Sequence, residues 1–236
     1  MMRAAGEASA CLLGSVDAAK VARKLKKRGY VEIKDFLQPR FADQIHRYLV
    51  ETKDASEWQI AIHDGQNTSY LPNLESRRDD VLRHYRAAAL AFAEGRFSYC
   101  FRRTLGVHAD PCSCGECRLR RLFQSPPLHR LMSRLGAPIS ALGESFLSCY
   151  LRGDFLAPHH DLDKGRLAFS LNLTKAWRPQ FGGHLCILSK DWTRPERTFS
   201  PTFNSLVLFE VADRESPHFV SHVVTGRRLA YTGWLE

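Results

Sequence analysis

The segment YLRGDFLAPHHD, residues 150–161, contains a histidine and an aspartate separated by one residue. In a strand or at a strand end, residues two apart point to the same side, so His159 and Asp161 can bind one ion while His160 points away. Imidazole nitrogen and carboxylate oxygen are donors that suit Fe(II), and no thiolate is adjacent. Taken alone the pair is a weak signal, because a polar surface loop produces the same spacing by chance.

A second stretch, SPHFVSHVVTGRRLAYTGW at residues 216–234, offers a remote histidine and two arginines. Two imidazoles and one carboxylate, two of them close in sequence and one remote, suit an octahedral Fe(II) ion with three open positions. His218 and His222 are both candidates, because an even spacing places both side chains on one face of a strand. The arginine that follows could bind the distal carboxylate of a cosubstrate.

Further short motifs surround these residues in a fixed order. They are Tyr150, GDFL at 153–156, RLAFSLNLT at 166–174, Trp177, GGHL at 182–185, NSLVLF at 204–209, His218-x-Val220, Gly226-x-Arg228 and TGW at 232–234. No single motif is specific, but the ordered set resembles the 2-oxoglutarate- and Fe(II)-dependent dioxygenases, in particular their prolyl-4-hydroxylase-like branch. The predicted strand and helix at residues 30–49 are similar to the start of many proteins in that family.

The resemblance implies an iron site and a cosubstrate site. His159, Asp161 and His218 would be the iron ligands. Arg228 would bind the distal carboxylate of 2-oxoglutarate in a bidentate fork. Tyr150 stands where the family often has a tyrosine that donates a hydrogen bond to the same carboxylate.

Two neighbouring residues compete with these assignments. The resemblance favours His218 over His222, because His218 precedes Val220 and stands at the family's distance from Arg228. Arg227 is expected to point away from Arg228 and to be a surface charge, since adjacent residues of a strand face opposite sides.

The sequence departs from the family pattern at two positions. The usual Tyr-Leu-Asn strand end reads Asn172-Leu173-Thr174 here, and the position after the double glycine, often acidic, is His184. Both positions could line the pocket, although His184 is also typical of a structural histidine with satisfied hydrogen bonds. His160 and Asp163 are expected to be solvated or to lie behind the ligands.

The activity that the resemblance implies is hydroxylation of an unactivated C–H bond, with ascorbate as an optional further cofactor. Asp161 argues against halogenation, for which some relatives carry a small residue instead. The compact chain, with no appended recognition domain, favours a small-molecule substrate such as a free amino acid or a natural-product intermediate. The alternatives are a prolyl or other residue of a protein, with a peptide as substrate, and a non-catalytic jelly-roll binding module.

Length and composition predict one domain over residues 1–236, with an N-terminal supporting and substrate-shaping part at 1–142 and a core at 143–236. A chain of 236 residues with 44% hydrophobic content can bury a sizeable core. There is no apolar run long enough to span a membrane and no proper signal-peptide core near the start, so the expected location is cytoplasmic.

The net charge of +9 suits an anionic cosubstrate. Nucleic-acid binding is not expected, because no base-stacking motif accompanies the basic clusters. The sequence does not indicate the oligomeric state.

Seven cysteines without a secretion signal argue against a disulfide framework. His108, Cys112, Cys114 and Cys117 form a local cluster that could hold a structural zinc ion tetrahedrally. The spacing is tighter than two Cys-x-x-Cys knuckles, so reduced, loop-borne thiols remain the alternative.

The hydrophobic pattern predicts a mainly β protein with flanking helices (α+β). Helices are predicted at 17–28, 39–49, 77–95 and 125–135, and strands at 30–36, 144–152, 165–174, 183–188, 204–211, 218–224 and 228–235. Many short strands in series suggest a double-stranded β-helix, the cupin-like jelly roll, with the helices of the N-terminal half on one outer face.

Overall fold

The computed structural model describes residues 16–52, 57–105, 108, 112–212, 214 and 216–236. Helices lie at Ala18–Arg28 (α1), Pro39–Arg47 (α2), Arg78–Ala93 (α3), Gly115–Phe123 (α4) and Pro126–Arg134 (α5), and a π-helical turn at Tyr48–Thr52 follows α2. Strands lie at Tyr30–Ile33 (β1), Gln59–His63 (β2), Thr68–Pro72 (β3), Tyr99–Arg103 (β4), Leu142–Tyr150 (β5), Phe155–His159 (β6), Leu167–Asn172 (β7), Leu185–Leu188 (β8), Pro195–Phe199 (β9), Ser205–Glu210 (β10), His218–Val220 (β11) and Arg228–Leu235 (β12). No helix in these ranges is long and apolar enough to cross a bilayer.

The strands pair antiparallel in the order β1-β10-β7-β12-β5-β4-β6-β11-β8-β9, and β2 pairs with both β3 and β4. β4 contacts β5 through Arg102 and Arg103 and β6 through Tyr99 and Cys100, so it joins two parts of the sheet that face each other. This curled antiparallel sheet with helices beside it confirms the predicted jelly-roll fold class.

The alternation of side chains along the central strands separates two apolar layers. Along β7, Leu167, Phe169 and Leu171 belong to the layer that includes the helices, whereas Ala168 belongs to the interior of the roll. The helix layer continues with residues of α1, α2, α4 and α5, among them Leu25, Ile45, Leu119, Phe123, Leu128 and Met132. Four of the five described helices therefore cover one outer face of the sheet, as predicted, whereas α3 packs through Ala88 against β2, β4 and β6.

The turn between β5 and β6 reverses the chain next to the site. Asp154 is buried there, and its Oδ2 accepts hydrogen bonds from the backbone N–H of Leu151 at 2.7 Å and from Arg102 Nη1 at 2.6 Å. Gly153 has φ of +88°, and a Cβ at this position would lie 2.6 Å from the hydroxyl of Tyr85. A residue with a side chain would thus be strained here for two reasons. The turn fixes β6 relative to β5.

Several elements differ from the prediction. The predicted strand at 218–224 ends at Val220, and the helix predicted at 39–49 passes into the π-helical turn after Arg47. Strands β2, β3, β4, β6 and β9 and helix α4 were not predicted. Four of the five residues of β9 are exposed, so that strand lacks the apolar alternation on which the prediction depends.

Candidate active site

Three potential metal donors meet where two neighbouring strands end. His159 closes β6 and His218 opens β11, and the two are direct partners in the antiparallel pair. Their ring centroids lie 4.2 Å apart. Asp161, two residues after His159, places Oδ1 3.5 Å from Nε2 of His159 and Oδ2 3.4 Å from Nε2 of His218. The three donor atoms lie within 4.8 Å of one another, so one ion could contact all of them.

Hydrogen bonds to the backbone orient both imidazoles. Nδ1 of His159 lies 2.9 Å from the carbonyl oxygen of Ala157, and Nδ1 of His218 lies 3.0 Å from that of Ser216. A carbonyl can only accept, so Nδ1 carries the proton and the lone pair of each Nε2 faces the carboxylate. This arrangement behind the ligands is typical of metal-binding histidines.

Burial adjusts the charge of the site. Burial lowers the pKa of His159, and burial together with the neighbouring His159 lowers the pKa of His218 to about 3. Both rings are therefore neutral at neutral pH, the form that donates to a metal. Trp234 Nε1 donates a hydrogen bond to Oδ2 of Asp161 at 3.1 Å, which fixes the carboxylate. Two neutral imidazoles and one carboxylate with no thiolate fit Fe(II).

The three donors line a cavity of about 710 Å³ that also contains Arg228 and Tyr150. Arg228 opens β12 opposite Tyr150 of β5, and its guanidinium carbon lies 5.0 Å from the centroid of the tyrosine ring. Only 3% of Arg228 is exposed. Among the described residues, no acidic side chain forms an ion pair with it, and its Nε has no hydrogen-bond partner. A buried cation without a counter-ion is costly, so this end of the cavity fits an anionic group such as a carboxylate.

The rival histidine lies elsewhere. His222 is exposed and stacks on Phe155 at 4.5 Å and against Phe92 at 4.8 Å, outside the cavity lining. Arg227 points away from Arg228, as predicted. It is half-buried rather than a free surface charge, because its Nη2 donates to the carbonyl of Leu49 at 2.8 Å.

The two positions that depart from the family pattern do not line the cavity, contrary to what the sequence suggested. Asn172 Nδ2 donates to Ser205 Oγ at 3.2 Å, and Thr174 Oγ1 donates to the carbonyl of Leu229 at 3.2 Å. Both side chains are therefore used in fixing neighbouring strands. His184 bonds the carbonyl of Pro179 at 2.9 Å, which makes it a structural histidine.

The remaining polar candidates lie at the surface. His160 lines the mouth of the cavity with its ring edge-on to Trp192 at 5.9 Å. Asp163 is exposed and does not line the cavity. Neither is among the donors that converge on the iron position.

The sequence did not identify the residues at the cavity mouth. They come from β3, from β4 and the segment before it, and from the loop between β8 and β9: Tyr70, Phe97, Tyr99, Phe101, Arg103 and Trp192. YCFRR at 99–103 lacks the apolar alternation that marks a strand, although a strand there places Tyr99, Phe101 and Arg103 on one face. The cysteine cluster lies outside this cavity, since none of its members is in the lining.

Comparison with known proteins agrees with this geometry. Residues 145–236 match the model of the 2OG-Fe(II) oxygenase superfamily. No curated protein matches the sequence. The fold and the His-Asp-His donor cluster agree with this match, which covers the C-terminal part of the chain, and the matched superfamily is one of oxygenases that use Fe(II) and 2-oxoglutarate.

Solved structures with the same fold include several prolyl hydroxylases. A prolyl-4-hydroxylase from Pseudomonas putida has a TM-score of 0.54 and 18% identity, covering 93% of this chain and 98% of its own. A Trichoplax adhaerens prolyl hydroxylase in complex with a hypoxia inducible factor peptide fragment has a TM-score of 0.62 and 18% identity, covering 92% and 88%. A 2OG-Fe(II) oxygenase family oxidoreductase from Burkholderia pseudomallei has a TM-score of 0.59 and 12% identity, covering 94% and 91%. The structural similarity is thus to prolyl-4-hydroxylase-like oxygenases, and at these identities it concerns the fold.

Proposed function

We propose that this chain hydroxylates an unactivated C–H bond of a residue within a peptide, with a prolyl residue as the first to test. His159, Asp161 and His218 would hold Fe(II), and Arg228 with Tyr150 would bind the distal carboxylate of 2-oxoglutarate. The observation that carries the proposal is Arg228, a buried cation that lacks a counter-ion among the described residues and shares one cavity with the three donors.

Bound Fe(II), with 2-oxoglutarate and dioxygen, supplies the oxidising power for C–H hydroxylation and leaves succinate and carbon dioxide as coproducts. The chain holds the reacting groups in place and keeps water out. Phe209 lies edge-on to the His218 ring at 4.6 Å and Phe97 packs on the His159 ring at 5.3 Å. These two aromatic side chains restrict the imidazole rings. They also lower the dielectric constant near the rings, which strengthens charge interactions within the cavity.

The rim of the cavity supports a peptide as the proposed substrate. Three aromatic side chains there are substantially exposed: Tyr70 at 52%, Trp192 at 42% and Phe97 at 39%. Aromatic residues are enriched where proteins contact extended partners, and exposed apolar groups gathered around a cleft favour a peptide that continues beyond it. The sequence alone favoured a free small molecule, whereas the aromatic rim supports a peptide.

A free amino acid is the second candidate, because a cavity of about 710 Å³ falls within the size range of small-molecule sites. Succinate formation measured with proline-containing peptides and with free amino acids separates the two. Turnover of free amino acids with none of peptides would reject a peptide substrate. A protein that loads Fe(II) yet never consumes 2-oxoglutarate with any substrate would be a binding module instead.

The rim itself is tested by Trp192→Ala. This change should raise the KM for the peptide and leave the KM for 2-oxoglutarate unchanged, since the indole lies at the mouth and not beside Arg228. Leu90→Ala is the matched control, because Leu90 is 59% exposed on α3 and lies outside the cavity. Equal kinetics for the two variants would show that the rim does not contact the substrate.

A further inference from the structure

A second group of donors gathers outside the active-site cavity. One ligand atom from each of His108, Cys112, Cys114 and Cys117 lies within 4.8 Å of all the others. Sγ of Cys114 is 3.9 Å from Nδ1 of His108. In a tetrahedral zinc site with Zn–S near 2.3 Å and Zn–N near 2.0 Å, neighbouring ligand atoms are roughly 3.5–3.8 Å apart. The distances between the four ligand atoms would have to shorten by between a few tenths of an ångström and about 1 Å to reach that geometry.

Backbone N–H groups beside the cluster favour the thiolate form of Cys112 and Cys114. The N–H of Cys114 donates to Sγ of Cys112, and the N–H of Cys117 donates to Sγ of Cys114, both at 3.5 Å. Cys114 is also the N-cap of α4, so its sulfur lies at the positive end of the helix. Hydrogen bonds from N–H groups and the helix dipole both stabilise negative sulfur.

A buried carboxylate gives an independent indication of a metal. Glu116 is 0% exposed, and its Oε2 lies 3.1 Å from Nε2 of His108. Its Oε1 accepts a hydrogen bond from Thr104 Oγ1 at 2.5 Å. A carboxylate that holds one imidazole nitrogen while the other faces the metal is the usual arrangement behind zinc-bound histidine. Here it leaves Nδ1 of His108 free to face the three sulfurs.

We propose that His108, Cys112, Cys114 and Cys117 bind one zinc ion in a closed four-coordinate site. Four protein ligands leave no open position, so the site is structural rather than catalytic. Three thiolates select zinc over the harder Fe(II) that suits the His-Asp-His cluster. The two metal sites would thus differ in ion and in role.

The zinc site would support one wall of the active-site cavity. Glu116 bonds Thr104, and Thr104 Oγ1 in turn accepts a hydrogen bond from the N–H of Leu147 in β5 at 3.1 Å. Thr104 directly follows β4, the strand whose Tyr99 and Arg103 line the cavity. Zinc would therefore fix the end of β4 between α4 and β5.

Metal analysis of the purified holoenzyme tests the site. Protein prepared without chelators should contain about one zinc per chain besides the iron, and this zinc should persist after mild chelation removes the iron. Cobalt(II) exchanged into the protein should give thiolate-to-cobalt charge-transfer absorption, which a His-Asp-His site cannot produce. Cys117→Ser should lose the zinc and this absorption, whereas Cys186→Ser, a buried cysteine outside the cluster, should retain both.

Should Cys117→Ser fail to fold, the wild-type protein still decides the matter. Titration of its thiols with a mercurial reagent should release zinc, detected with a chromophoric chelator, in step with modification of the cluster. Zinc-free protein without the cobalt–thiolate band would overturn the proposal, and so would a disulfide between any two of the three cysteines in the native protein. None of these readouts depends on 2-oxoglutarate turnover, so the proposal can fail independently of the proposed function.

Discussion

Replacing Arg228 with alanine should raise the KM for 2-oxoglutarate strongly. Removing one partner of a buried charge pair costs about 2–5 kcal/mol. At about 1.4 kcal/mol for each factor of ten, the KM should rise by roughly 30-fold to a few thousand-fold. The upper part of the range is favoured, because Arg228 is only 3% exposed and solvent cannot replace it. Arg228→Lys should be intermediate, since lysine keeps the charge and loses the bidentate fork.

Arg227→Ala is the matched control for this experiment. It removes the same side chain one position earlier, where the guanidinium bonds the carbonyl of Leu49 instead of facing the cavity. Its KM for 2-oxoglutarate should change little. Succinate formation at varied 2-oxoglutarate gives the KM, and thermal melting of each variant without ligand verifies the fold. An unchanged KM in Arg228→Ala, or an equal rise in Arg227→Ala, would refute the assignment of Arg228 as the carboxylate anchor.

Four further variants test the site and its support. His218→Ala should abolish turnover, whereas His222→Ala should keep it. Anaerobic Fe(II) titration with 2-oxoglutarate should show the charge-transfer band in His222→Ala and not in His218→Ala. The reverse result would show that His222, and not His218, is the third ligand. Trp234→Phe removes the hydrogen bond to Asp161 and should weaken iron binding by about 10- to 100-fold, measured by competition with a chelator. Tyr231→Phe removes the buried hydrogen bond to Ser145 and should lower the free energy of unfolding by about 1 kcal/mol, measured by urea denaturation. The KM values should be unaffected. An unchanged free energy of unfolding would mean that the hydroxyl is not bonded in solution.

The sequence was most informative where a strand is covered by apolar layers on both faces. β7 and β10 are almost wholly buried, so LAFSLN and SLVLFE read as apolar runs bounded by turn residues. β9 and β3 were not predicted because apolar layers do not cover both of their faces. Each is paired on one side only and is largely exposed or half-exposed, so no hydrophobic pattern marks it. β6 has five residues and includes Pro158, which argues against a strand in the sequence.

The proposed ligands and Arg228 came from the resemblance of an ordered set of motifs to a known family, because the His-x-Asp pair alone is a weak signal. The rim residues could not be predicted, since Tyr99 and Trp192 reach the cavity only through pairings such as β4 with β6 that one sequence does not reveal. The cysteine cluster was visible from spacing. Its companion Glu116, by contrast, carried no signal in the sequence. Its role behind His108 depends on burial, which depends on the whole fold.

The pairing of distant strands has a consequence for how the protein acquires its metal. His159 and His218 meet only when β6 pairs with β11, and Arg228 meets Tyr150 only when β12 joins β5. Closing such long loops costs entropy, and folds dominated by non-local pairing form slowly, in roughly milliseconds to seconds. A growing chain holds only two of the three proposed donors, His159 and Asp161, until residue 218 has left the ribosome. The proposed iron site would therefore be complete only after β6 has paired with β11.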